Sequence, residues 1–177
     1  MKKLFLLIAL FVSFNSFAQN KIVLTGNPSI DAVTYYNRGN LKASTQDYAG
    51  AIIDYDKAIQ LNPNYAMAYY NRGNANDALK NDKGAIADYN NAIRLNPNYA
   101  DAYHNRGISK ANIDDYAGAI IDYNKVIQLN PNYADVYHNR GISKYLLHDL
   151  NGACLDWKKA GELGQAKAYE KINKYCK

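Results

Sequence analysis

Apolar and small residues recur along this chain at helical spacing. In residues 100–113, ADAYHNRGISKANI, the positions Ala102, Tyr103, Arg106, Gly107, Lys110 and Ala111 are related by steps of three, four and seven, which predicts one face of a helix. In residues 117–129, AGAIIDYNKVIQL, the set Ala119, Ile120, Tyr123, Val126 and Ile127 predicts a second. Between them Asp114 or Asp115 offers an N-cap, and TQD (45–47) and KND (80–82) stand in the same place earlier in the chain. The stretch LNPN follows such a second helix three times, at 61–64, 95–98 and 129–132. The residue before a proline is pushed out of the helical region, so the helix ends there, and the following Asn is predicted to cap the next.

The pattern repeats. LNPNYAMAYYNRG (61–73), LNPNYADAYHNRG (95–107) and LNPNYADVYHNRG (129–141) are nearly identical and recur every 34 residues. Gly39, Gly73, Gly107 and Gly141 keep step, as do Ala51, Ala85, Ala119 and Ala153, then Tyr55, Tyr89, Tyr123 and Trp157. Alignment on Pro63, Pro97 and Pro131 divides the chain into units 32–65, 66–99, 100–133 and a diverging fourth, 134–163. A short segment, 19–31, precedes them, and 164–177 carries the amphipathic stripe Ala168, Ile172, Tyr175 expected of a capping helix. Short turns make each helix pair antiparallel, and one pair cannot bury its apolar face alone, so the units must stack.

This set of small and aromatic residues at a period of 34 resembles the tetratricopeptide repeat over residues 32–163. The resemblance implies an all-α fold: an α-solenoid of four helix-turn-helix repeats closed by a capping helix. It also implies a non-enzymatic module that binds a peptide or partner-protein segment in the concave groove lined by the first helices. Projected outward, that groove takes Tyr36, Asn37 and Asn40, with Val33 beside them, from the first unit. The second contributes Met67, Tyr70, Asn71, Asn74 and Asp77, the third Asp101, His104, Asn105 and Ile108, and the fourth Asp135, His138, Asn139 and Ile142. The ladder Asn37, Asn71, Asn105, Asn139 would offer donors and acceptors to an extended backbone. One subset of the family holds a C-terminal carboxylate with basic residues. Here Val33, Tyr36 and Asp101 stand in those places, which argues against that ligand.

Charge sharpens the picture. Arg38, Arg72, Arg106 and Arg140 precede the recurrent glycines, and Asp54, Asp88, Asp122 and Asp156 precede the late aromatics, so Arg-to-Asp pairs between packed helices are expected as structure. Residues 1–18 have two lysines, an apolar run and a small-x-small site, which reads as a secretory signal peptide and points to a periplasmic or secreted protein with no membrane insertion after cleavage. Their loss removes Lys2 and Lys3 and no acid, so 21 basic and 16 acidic side chains become 19 and 16. That mild, scattered excess disfavours nucleic acid, leaving RNA binding as a remote alternative. Cys154 and Cys176 are the two cysteines, and one disulfide is expected in an oxidising compartment.

Catalysis has no candidate residues: no nucleophile stands beside a base and no glycine-rich phosphate loop is present. Asp101 with His104 and Asp135 with His138 repeat an acid–imidazole spacing, but a metal is not expected, nor any cofactor. The role expected is an adaptor or assembly factor of a bacterial-type cell envelope. The monomer would self-associate weakly at most, and a self-assembling structural protein is the main rival.

Overall fold

The structure, a computed structural model, describes residues 23–176. All secondary structure among the described residues is helical. The described residues fall into two bodies, one ending at Pro63 and the other beginning at Asn64. The signal segment falls outside the described residues.

The first body holds α1 (Pro28–Ser44) and α2 (Tyr48–Leu61). Helix α1 begins in the segment expected to precede the first unit. Pro28 occupies its first turn, where a missing N–H costs nothing, and the Asn27 side chain caps Ser29 N at 3.0 Å. The second body holds α3 (Ala66–Ala78), α4 (Asp82–Leu95), α5 (Ala100–Asn112), α6 (Tyr116–Leu129), α7 (Ala134–Leu146), α8 (Leu150–Glu162) and α9 (Ala166–Tyr175). There α3–α4, α5–α6 and α7–α8 form antiparallel pairs that stack in chain order, with α9 against α8. First helices α3, α5 and α7 thus become neighbours.

Every second helix has a side-chain cap: Asp47, Asn81, Asp115 and Asp149 each accept from the glycine N–H three residues on. The residue before each cap sits at positive φ, Gln46, Lys80, Asp114 and His148 all near +60°, a conformation that costs a non-glycine residue stability. The first helices differ from expectation. Tyr65, Tyr99 and Tyr133 occupy their N-cap positions with no side-chain bond, so Asn64, Asn98 and Asn132 do not cap. Asn96 and Asn130 fold over the proline to accept from Asn98 N and Asn132 N, each at 3.2 Å. An Asx turn around the proline therefore replaces the cap.

Tight packing explains the glycines. A Cβ at Gly107 would stand 2.6 Å from Cε1 of Tyr123, a ring 1% exposed, and Gly39, Gly73 and Gly141 face Tyr55, Tyr89 and Trp157 in the same way. Ion pairs lock each helix pair. Arg106 grips Asp122 through Nε at 2.9 Å and Nη2 at 2.5 Å, Lys110 joins at 2.9 Å, and Nη1 reaches back to Asn90 on α4 at 2.6 Å. Arg140 does the same with Asp156, Lys144 and Asn124. In the first body Arg38 and Lys42 close on Asp54. For Asp88 the pair is Arg72, with the Asn76 amide where the other units have lysine. Each arginine also lies over a tyrosine ring, as Arg106 does over Tyr103 at 5.3 Å.

Cys154 and Cys176 are joined in a disulfide that fastens the end of α9 to α8. Among the described residues, no helix is long and apolar enough to cross a membrane.

Candidate functional site

Within the second body, the residues expected to meet a partner lie on one face of α3, α5 and α7, and hydrogen bonds tie these helices side by side. The Asn105 amide donates to Asn74 Oδ1 at 2.9 Å and to the Tyr70 hydroxyl at 3.2 Å. Ser109 Oγ donates to Asp77 Oδ1 at 2.8 Å, and the Tyr89 hydroxyl to Asp77 Oδ2 at 2.6 Å. Burial pushes the Asp77 carboxyl above the usual range, partly countered by those two hydroxyls. Tyr89 is pushed up in turn, by burial and then by the carboxylate it bonds.

Between α5 and α7 the link is His104. Its Nδ1 lies 3.1 Å from the Tyr133 hydroxyl and its Nε2 3.1 Å from the Asn139 amide nitrogen. The amide can only donate, so Nε2 accepts and Nδ1 carries the proton that goes to Tyr133. The imidazole is neutral in this arrangement. Burial lowers its pKa, and Asp135 and Asp101 counter only part of that.

Placement of the expected residues is uneven. Met67, Asp101 and Asp135 are exposed, and Tyr70, Asn71, Asn74, Asp77, Asn105, Ile108, Asn139 and Ile142 are half-buried. His104 and His138 are both 8% exposed, so they form the floor of the face, not its contact surface. Asn105 and Asn139 spend their amide protons between helices, which corrects the reading that all four asparagines wait for a partner's backbone. In the first body Tyr36 is buried against Tyr55, with ring centroids 6.1 Å apart, and Asn40 accepts the Tyr55 hydroxyl at 2.8 Å. Asn37 and Val33 are exposed there.

The sequence reading missed Tyr99 and Tyr133. Tyr99 stacks on Tyr70 at 4.7 Å, and Tyr133 meets His104 edge-on at 5.0 Å. Their signal was the recurrence of Tyr65, Tyr99 and Tyr133 at period 34, inside a stretch taken for turn alone.

The electrostatic sign of the face follows from the ion pairs. Every basic side chain of α3, α5 and α7 (Arg72, Arg106, Lys110, Arg140 and Lys144) is held by an aspartate of its own helix pair. Asp101 and Asp135, in register on α5 and α7, are exposed. Among the described residues, no group of three or more His, Cys, Asp or Glu side chains could hold a metal.

Family comparison agrees with this geometry. The model for the TPR repeat matches residues 39–80, 78–112 and 114–147, and the chain belongs to the tetratricopeptide-repeat family. Among solved structures it is similar to MamA, at 29% identity over 82% of this chain and 85% of that one, with a TM-score of 0.76. MamA from Desulfovibrio magneticus RS-1, residues 41 to the end, gives 25% identity, 77% of each chain and a TM-score of 0.72. The first TPR of Spaghetti (RPAP3), bound to the HSP90 peptide SRMEEVD, gives 28% identity, 68% of this chain, 95% of that one and a TM-score of 0.66. No curated protein matches the sequence.

Proposed function

We propose that this protein is a non-enzymatic interaction module, an adaptor or assembly factor of a bacterial-type cell envelope, that holds an extended segment of a partner protein against α3, α5 and α7. One observation carries the reading: Met67, Asp101 and Asp135 stand exposed in register on adjacent helices whose basic groups are all neutralised. Tyr70, Ile108 and Ile142 add half-exposed apolar surface between them, of the kind that supplies contact energy. A structural neighbour at 28% identity holds a peptide, SRMEEVD, and that peptide is acidic. Here the exposed charges have the same sign as such a tail, so the partner segment is cationic or neutral with apolar anchors. The export reading supports the envelope assignment, and a disulfide is at home in an oxidising compartment.

Fluorescence anisotropy with two labelled peptides tests this, one lysine-rich and extended, the other SRMEEVD. The lysine-rich peptide is expected to bind, more weakly as salt rises, and Asp101→Lys with Asp135→Lys is expected to reverse the preference. Equal binding of both peptides, or indifference to the charge reversal, overturns the reading.

A further inference from the structure

Helix α9 brings Lys167, Glu170 and Lys171 within electrostatic reach of a buried imidazole that is left unsatisfied. Among the described residues, His138 Nδ1 is the one buried side-chain nitrogen or oxygen without a hydrogen-bond partner. The cause is written in the sequence. Leu129 and Ala134 enclose Asn-Pro-Asn-Tyr, whereas Leu163 and Ala166 enclose only Gly-Gln. The N-cap place held by Tyr133 before α7 therefore belongs to Gln165 before α9, and the sixth helical position, Asn139 in α7, is Lys171 in α9. Gln165 turns its amide to Asp135 and its carbonyl to Lys167 N, so neither partner of His104 has a counterpart at His138.

We propose that α9 is an acid-loosened cover on the end of the repeat stack: protonation of His138 frees it between two held ends, the turn at Gly164 and the Cys154–Cys176 bridge. A protonated ring carries N–H on both nitrogens, and the Nδ1–H would be a buried donor with no acceptor. Burial already disfavours the cation, Lys171 adds to this, Asp135 opposes it, Lys167 disfavours it again and Glu170 opposes it. The other elements around α7 offer little relief. On α8 Trp157 Nε1 donates to the His138 carbonyl at 3.3 Å, and Asp156 is closed by Arg140 and Lys144. The Asp122 carboxylate of α6 is closed by Arg106 and Lys110, and α5 reaches α7 through the neutral His104.

The covered state consequently binds fewer protons than the loosened one, in which the imidazole regains an ordinary pKa near 6.5. The cover is most secure above that pH and loosens as pH falls below it. The hardware for movement is present. Gly164, at φ +92°, has nothing within 4 Å of a would-be Cβ, and Ala168 is the one fully buried residue of α9. Loosening would bare Tyr137, Trp157 and Ala160. None of this rests on the partner reading above.

Amide-exchange protection factors, corrected for intrinsic rates and measured by NMR on the full oxidised chain at pH 7.5 and 5.5, test the proposal. Protection of the Ala168–Ile172 amides is expected to fall severalfold, within the limit of about tenfold per pH unit set by one proton, and the share due to His138 is the difference from His138→Asn. His138→Asn should abolish the fall, and Lys171→Gln should reduce it. No fall, or an equal fall in His138→Asn, overturns the proposal. Should His138→Asn not fold, an unchanged fall in Lys171→Gln overturns it alone.

Discussion

At the junction of α5 with α7, His104 is bonded at both nitrogens; at the junction of α7 with α9, His138 is buried equally well with Nδ1 left bare. The same residue in the same register meets a repeat in one case and a substitute in the other. A copied module satisfies its neighbour because both surfaces come from one template. A cap has one surface to match and here matches it incompletely, with a covalent bond to hold what hydrogen bonds do not.

The comparison can be tested by perturbing each junction. Trp157→Ala, which empties the core beneath α9, is expected to cost about 3–5 kcal/mol in urea denaturation, the largest effect here. A loss below ~1 kcal/mol would mean that α9 and its neighbours are not packed. Cys154→Ser with Cys176→Ser removes a bridge across a sequence separation of 22 and is expected to cost about 3 kcal/mol. Amide exchange in the double variant should show the loss concentrated in α9.

Tyr133→Phe strips His104 Nδ1 of its partner and makes the inner junction imitate the outer one, at about 1 kcal/mol. If calorimetry finds it neutral, the hydroxyl is not what separates the two histidines. Both imidazoles have folded pKa values below 6.5, so the unfolded chain binds more protons as pH drops. Their contribution is whole above pH 6.5 and drains below it toward the folded values. Tm should therefore be lower at pH 5.5 than at 7.5, and His104→Asn and His138→Asn should each flatten part of that slope. Smallest is His148→Gly, which relieves a positive φ for a gain of up to ~1 kcal/mol in the same assay.

Much of the fold was legible because it repeats. Helix faces, the closing prolines and the spacing of 16 residues from Arg106 to Asp122 all recur, and recurrence separates a signal from chance. The start of α1 was hidden, since Pro28 and Asn27 act once and have no copies. Asn64, Asn98 and Asn132 suggested caps by residue type, but the preceding asparagine takes the turn first, an outcome that backbone geometry decides. The candidate face was harder to read. Helical projection tells which side a residue faces but not what lies one helix away, so the burial of His104 under Tyr133 and the spending of Asn105 on Asn74 needed coordinates.

The bridge from Cys154 to Cys176 also gives a row of modules a direction. A linear array held by nearest neighbours frays from its edges inward. In residues 64–176 the α9 edge is bolted, so fraying that starts there stops at the bridge, and reducing the bridge would let it run on into α8.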